Sequence, residues 1–225
     1  MEVFGNRWKD YVEKIRKNWQ AVVEDDDTVI IPGDISWALS LEEAKDDLAF
    51  VNSLPGKKIL MKGNHDFWWT SQKKMAAFCE ANGFSTLAFL HHDAMVVENY
   101  IVMGTRGWFY DDKKEGASES DIARLIAREA IRLDISIKAA KKLQVAHPDK
   151  EMLTFFHFPP LWGGQVCEPF ITPLKEAGIE RCYFGHIHGA YACPAYNDYE
   201  GIRFTLIAAD YLSFTPQHIP VTGKC

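Results

Sequence analysis

Four short apolar runs punctuate this chain, and each stops at a side chain able to hold a metal ion. Residues 28–32 run into Gly33-Asp34, and residues 58–62 into Gly63-Asn64-His65-Asp66. Residues 151–156 end at His157, and 181–184 run into Gly185-His186-Ile187-His188. Short apolar runs bounded by turn residues read as buried strands. In an open α/β sheet, ligands collect in the crevice beyond the carboxyl ends of the strands. Strands far apart in sequence therefore deliver Asp34, Asn64, His157, His186 and His188 to one small volume. Glycine precedes the polar residue in three of the four runs, which predicts a tight turn and a close backbone approach.

The segments between these runs read as helices. Trp8, Tyr11, Val12, Ile15, Trp19, Val22 and Val23 follow the spacing of one helical face. A helix over 41–54 stops at Pro55-Gly56, and another over 71–82 stops at Gly83. Two or three short strands fill 86–104. A polar, turn-rich loop covers 109–118, followed by a long helix that buries Ile122, Leu125, Ile126, Leu133, Ile137 and Ala140. A helix near 168–177 and a last strand over 202–208 complete the alternation. Asp25-Asp26-Asp27 lies at the amino end of the first strand, opposite the crevice, and reads as a solvated turn. His91-His92-Asp93 lies in a hairpin-like stretch and reads as exposed, as do His147 and His218.

Composition narrows the class. At 225 residues, 47% hydrophobic and 25% charged, the chain is most economically one α/β domain. A net charge of −6 disfavours nucleic acid held on a broad cationic face. No apolar stretch approaches the roughly 20 residues that span a bilayer. The start carries no signal-peptide core, and five scattered cysteines without a C-x-x-C pair read as reduced thiols of a cytoplasmic protein.

One carboxylate, one carboxamide and three imidazoles, with no thiolate, suit Mn, Fe or Zn better than Ca or Cu(I). A carboxylate such as Asp34 has two oxygens and can bridge two ions. Two ions about 3.5–4 Å apart can share a hydroxide and clamp a phosphoryl group during in-line attack.

G-D, then G-N-H-D, then a lone His, then G-H-x-H, each after a strand, resembles the metallophosphoesterase (calcineurin-like phosphoesterase) superfamily over about residues 28–210. The resemblance implies a four-layer α-β-β-α sandwich of two mixed sheets flanked by helices. It also implies phosphoester hydrolysis at a binuclear centre, with manganese the favoured ion and a small phosphorylated molecule as substrate. Carried over by motif, Asp34 bridges the ions, Asn64, His157 and His186 complete one site, and His188 belongs to the other. His65 faces the leaving group as general acid, a role that suits imidazole. Some relatives orient this histidine with an acid three residues after the bridging Asp, where this chain has Trp37. Arg106, at another strand end, is read as a contact to substrate phosphate, with an ion pair as the competing reading. Trp68, Trp69 and Trp162 either wall a pocket or pack against the sheet.

One departure stands out. The family opens with a strand ending in D-x-H, and none of the sixteen aspartates here has a histidine two positions later. The chain thus reads as a single domain over 1–225, N-terminally truncated relative to the family, with its first strand missing and one metal site incomplete. Two alternatives follow. One is a nuclease or phosphodiesterase of the same superfamily. The other is a catalytically impaired, one-metal member acting as a binding module or scaffold.

Overall fold

The computed structural model describes residues 5–108 and 118–221. Most of the loop expected over 109–118 lies outside the described residues. Two sheets carry the fold. The smaller contains β1 (Thr28–Ile31), β2 (Lys57–Leu60) and β3 (Leu87–Phe89) in the order β1-β2-β3, parallel throughout. Helices α2 (Lys45–Ser53) and α3 (Gln72–Asn82) make its crossovers. Among the described residues no strand pairs with the outer edge of β1.

The larger sheet is mixed. It contains β4 (Ala94–Val97), β5 (Tyr100–Thr105), β6 (Glu151–Phe156), β9 (Arg181–Phe184), β10 (Tyr196–Tyr199) and β11 (Ile202–Leu206), in the order β10-β11-β9-β6-β5-β4. The outer pairs β4/β5 and β10/β11 are antiparallel, and the central pairs are parallel. The 28-residue α4 (Glu119–Ala146) connects β5 to β6. A two-stranded hairpin, β7 (Leu161–Trp162) with β8 (Gln165–Val166), leads into α5 (Glu168–Glu176) and β9. This hairpin and β10 had no signature in the sequence.

Alternation along the strands builds the layers, because successive side chains leave opposite faces of a sheet. In β6, Leu153 and Phe155 join Ile59, Met61, Val102 and Tyr183 in an apolar layer between the sheets. Met152 and Phe156 point the other way, into the core under α4 and α5. Leu60 of β2 packs outward with Ala44, Leu48, Met75 and Cys79 beneath α2 and α3. The result is the α-β-β-α sandwich the sequence implied.

Helix boundaries follow local chemistry. Ser71 caps α3 by accepting from the Lys74 N–H, and Gly83 ends it at φ 71°. Ser118 and Asp121 form a capping box at the start of α4. The N-terminal helix is shorter than its apolar spacing suggested. Asp10 adopts φ 54° and breaks the chain between a 3-10 turn (Asn6–Trp8) and α1 (Tyr11–Val22). Of the expected stripe, Trp19 and Val23 pack on Leu54, while Val22 is half exposed. Trp8 belongs to a different contact, described below.

Candidate metal centre

The loops after β1 and β2 meet back to back, which explains two of the glycines. A Cβ on Gly33, whose φ is 107°, would lie 2.5 Å from the Gly63 nitrogen. A Cβ on Gly63 would lie 2.1 Å from Asp34 Oδ1. Gly185 is different, since its nearest such contact is an ordinary 3.5 Å, so close approach does not demand glycine there.

Asp66 ties these two loops together. Its Oδ2 accepts the N–H groups of Asp34 and Gly63, both at 2.8 Å. Its Oδ1 accepts from Ile35 (2.9 Å), Ser36 (3.1 Å) and the Trp68 indole (3.0 Å). Burial pushes the Asp66 pKa up to about 6, although the N–H groups of Gly63, Ser36 and Asp34 pull it down. No role for this residue is visible in the motif itself. Its function emerges only once β1 and β2 are neighbours.

Asp34 sits in the left-handed region at φ 57°, as does His186 at φ 65°. Non-glycine residues rarely occupy this region, and such strain collects at functional sites. Asp34, His157 and His186 each offer a ligand atom, and these atoms lie within 4.8 Å of one another. His157 is buried, and burial drives its pKa down to about 3, so its ring is neutral. Its Nδ1 lies 3.0 Å from the Pro32 carbonyl, which can only accept, so Nδ1 carries the proton. The bare Nε2 lone pair then faces Asn64 Oδ1 at 2.6 Å and Asp34 Oδ2 at 3.5 Å. His186 is likewise held neutral, at about 3, chiefly by burial and then by His157. As oriented, the lone pairs of two oxygens and a neutral imidazole converge with no proton between them. Such a donor set calls for a divalent cation.

His188 stands apart from that cluster. Its Nδ1 lies 2.8 Å from Asp210 Oδ1, and its ring meets Trp8 edge to face at 5.3 Å. Asp210 is buried, which pushes its pKa up. Hydrogen bonds from His188, the Gly189 N–H and the Tyr191 hydroxyl outweigh that push and hold it at about 2. An Asp-His pair of this kind fixes the tautomer and directs Nε2 outward, as carboxylates do behind metal-binding histidines. Arg7 donates to the Asp210 carbonyl at 2.8 Å and lies over the Tyr191 ring at 4.1 Å, anchoring the N-terminal turn on this corner.

His65 hangs at the rim. Its backbone N–H donates to Asp34 Oδ1 at 2.9 Å. Its ring stacks on Trp37 at 4.4 Å and 21°, with Phe67 edge-on at 6.2 Å. The indole at the position where some relatives carry an acid therefore holds this imidazole by stacking. Trp68 and Trp69 are buried beneath α2 and α3, and Trp162 packs on the larger sheet's core, so all three fulfil the packing reading.

Arg106, just beyond β5, lies 3.5 Å from the buried Glu129 of α4. Its guanidinium also lies over the Trp108 ring at 5.4 Å. His91 and His92 are not exposed, contrary to the sequence reading. Both are half buried and line a cavity with Lys62 and Arg106, because the turn before β4 folds onto the middle of α4, where the Ser136 hydroxyl donates to the Asp93 carbonyl at 2.5 Å. Asp25, Asp26 and Asp27 are exposed, as expected of a solvated turn.

Comparison with known proteins places this geometry. The family model for calcineurin-like phosphoesterases matches residues 6–190. A search of curated proteins finds no match. Among solved structures, TT1561 of Thermus thermophilus is similar in fold, with a TM-score of 0.58 and 13% sequence identity, covering 91% of this chain and 86% of that one. A second structure aligns with a TM-score of 0.51 and 13% identity, covering 89% of this chain and 86% of that one. At such identities the likeness concerns the fold alone. Among the described residues, no helix is long and apolar enough to cross a membrane.

Proposed function

The chain belongs to the calcineurin-like phosphoesterase family, and from that premise we propose that it hydrolyses a small phosphorylated substrate with divalent metal ions. The family implies metal-dependent phosphoester hydrolysis in general. For this chain, one observation carries the reading: the meeting of Asp34, His157 and His186 ligand atoms within 4.8 Å, with both imidazoles neutral.

In this reading Asp34, Asn64, His157 and His186 hold one ion, and His188 contributes to a second. Bound ions would supply a water acidic enough to ionise near neutral pH and positive charge for the phosphoryl oxygens. Manganese is the favoured ion, with iron and zinc as alternatives. The protein's own share is positioning. Asp66 fixes the loops that present Asp34 and Asn64, Pro32 fixes the His157 tautomer, and Asp210 fixes that of His188. His65, held against Trp37, hands a proton to the departing oxygen, a transfer that contributes about 10²–10⁴-fold in enzymes generally. A strand ending in Asp-x-His, set against the outer edge of β1, would complete the second site.

A one-metal binding module remains the second reading, favoured by the position of His188 outside the converging cluster. Metal content per chain and hydrolysis separate the two. With added Mn²⁺, generic aryl phosphate mono- and diesters should be hydrolysed. Asp34→Ala should abolish that activity by about 10³-fold or more, given that a single electrostatic donor in an active site contributes about 10²–10³. Turnover that survives Asp34→Ala would remove the hydrolase assignment from this cluster. One ion per chain with no hydrolysis would establish the binding module instead.

A further inference from the structure

We propose that Trp8 and Arg7, in the turn before α1, are positioning residues for His188, holding its ring in one orientation with Nε2 turned away from Asp210. The use of that orientation rests on the reading of His188 as a ligand to a second ion. The positioning itself is a property of the metal-free protein.

His188 needs more support than its neighbours in the site. It lies four residues beyond β9, in a stretch without regular secondary structure. Its side chain is 26% exposed, against 2% for His157, which directly follows a core strand. Asp210 and Trp8 both meet the His188 ring. The hydrogen bond from Nδ1 to Asp210 Oδ1, at 2.8 Å, fixes one point of the ring but leaves rocking about that bond open. The Trp8 indole stands nearly perpendicular to the imidazole, at 81° and 5.3 Å, and restricts that motion.

Asp210 depends on the same N-terminal residues. It belongs to a turn over 209–214 in which Ser213 and Phe214 both take up left-handed backbone, at φ 55° and 60°. Two successive non-glycine residues in that region, one of them bulky, persist only where the surroundings over-determine them. Here the constraint comes from the other end of the chain. Arg7 donates from Nε to the Asp210 carbonyl and from Nη2 to the Ser213 hydroxyl, both at 2.8 Å. The Asn18 amide donates to the Ser213 carbonyl at 3.0 Å. Trp8 packs edge to face on Phe214 at 5.1 Å, an arrangement favoured between aromatic rings. Lys14 ties the turn to α1 by donating to the Arg7 carbonyl at 2.8 Å. Arg7 also lies over Tyr191, whose hydroxyl donates to Asp210 Oδ2 at 3.0 Å. Trp8 thus acts on the His188 ring directly, and Arg7 acts on it through Asp210.

A plain anchor for the N-terminal segment requires none of this convergence. Trp19 shows what such an anchor looks like. It is buried with Val23 and Leu54 on the small sheet, and its indole donates to the Pro55 carbonyl at 3.0 Å.

The first experiment reads the His188 ring nitrogens in protein freed of metal by EDTA, using ¹⁵N-labelled histidine and long-range proton–nitrogen correlation. The parent should show a single species with its proton on Nδ1. Trp8→Ala and Arg7→Gln should each shift that signal towards an average of the two tautomers, Trp8→Ala by more. Trp8→Phe, which keeps a ring against the imidazole, should return it towards the parent. Trp19→Ala should lower stability and leave the signal unchanged. Parent-like signals in both Trp8→Ala and Arg7→Gln overturn the proposal. So does an equal change in Trp19→Ala, which would mean a general loosening of α1. Arg7 is exposed, so its variant keeps the fold and decides the matter alone if Trp8→Ala does not fold.

The second experiment titrates Mn²⁺ by calorimetry. Groups that orient metal ligands are worth about 10–100-fold in affinity. Where the parent binds two ions, Trp8→Ala should weaken the looser one by about that factor and leave the tighter one within a few-fold. Equal weakening of both overturns a role directed at His188. If the parent binds a single ion while Trp8→Ala still alters the ring signal, the two-ion reading fails and the positioning stands.

Discussion

The two sides of the crevice position their ligands by different means. On the small-sheet side, Asp34 and Asn64 ride on loops whose Ile35, Trp68 and Trp69 reach the core beneath, while hydrogen bonds set the positions of the ligands themselves. Their geometry comes from one buried carboxylate, Asp66, which gathers the N–H groups of Asp34, Ile35, Ser36 and Gly63. On the large-sheet side, His157 and His186 each follow the last residue or turn of a core strand. Phe156 and Phe184 are register partners, essentially without solvent exposure, and the histidines extend from that packed pair. Hydrogen bonds hold one half of the site and packing holds the other. A substitution on the first side should therefore disturb metal binding before stability, and on the second side stability before metal binding.

The largest test of this contrast is Phe156→Ala. Phe156 is fully buried, and its ring packs on Phe170 at 5.6 Å. Truncating such a ring to Ala removes about 3–5 kcal/mol of stability, read as a shift in the urea midpoint. The fraction still folded should bind Mn²⁺ within a few-fold of the parent. A small stability change with a large loss of metal affinity would reverse the comparison.

Next in size is Asp66→Asn, which preserves shape but turns one acceptor into a donor facing N–H groups. Supporting residues behind metal ligands are worth about 10–100-fold in metal affinity. Calorimetric titration with Mn²⁺ should show a loss in that range, with the folded state still formed. Unchanged affinity would mean that the loops keep their shape without Asp66, and the hydrogen-bonded half of the contrast would fail.

The strand-end residues are legible in the sequence because apolar runs that stop abruptly at polar groups carry their own register. Asp34, His157 and His186 could be brought together on that basis alone; the alternation gave one α/β domain, and the four-layer arrangement came from the family resemblance. The supporting residues were harder to see. Asp66 lies inside a motif already credited to its neighbours, and its five donors come from two loops that are distant in sequence. Glu129 did leave a trace: it falls between Ile126 and Leu133 on the stripe read as buried in α4, where a charge demands a partner. His91 and His92 could not be placed, because the cavity they line is shared with Arg132 of α4 and Lys62 in the loop after β2, neither with a local link to them. The break at Asp10 was equally hidden, since the apolar spacing continues through it while the backbone does not.

The smallest predicted effect lies away from the crevice, where the small sheet uses a charge in place of packing. Lys58 sits in β2 with no solvent exposure and donates to the carbonyls of Asn52 (3.3 Å), Leu54 (2.5 Å) and Gly56 (2.8 Å). It closes the carboxyl end of α2 onto the strand, a placement that suits a cation near a helix C-terminus. Burial lowers its pKa to about 8, against the opposing pull of Asp25. An unfolded lysine titrates near 10.4. Between those values the unfolded chain holds the extra proton, so Lys58 makes stability rise with pH across that window, while its contribution is flat below about 8. Lys58→Met should erase that alkaline rise in the melting temperature. At pH 7 it should also cost about 1–2 kcal/mol, because three carbonyls lose their donor while the penalty of burying an ammonium disappears with it. A variant more stable than the parent at pH 7 would show that the desolvation penalty exceeds the value of the three hydrogen bonds. The small sheet would then be held here by its apolar contacts, as the large one is.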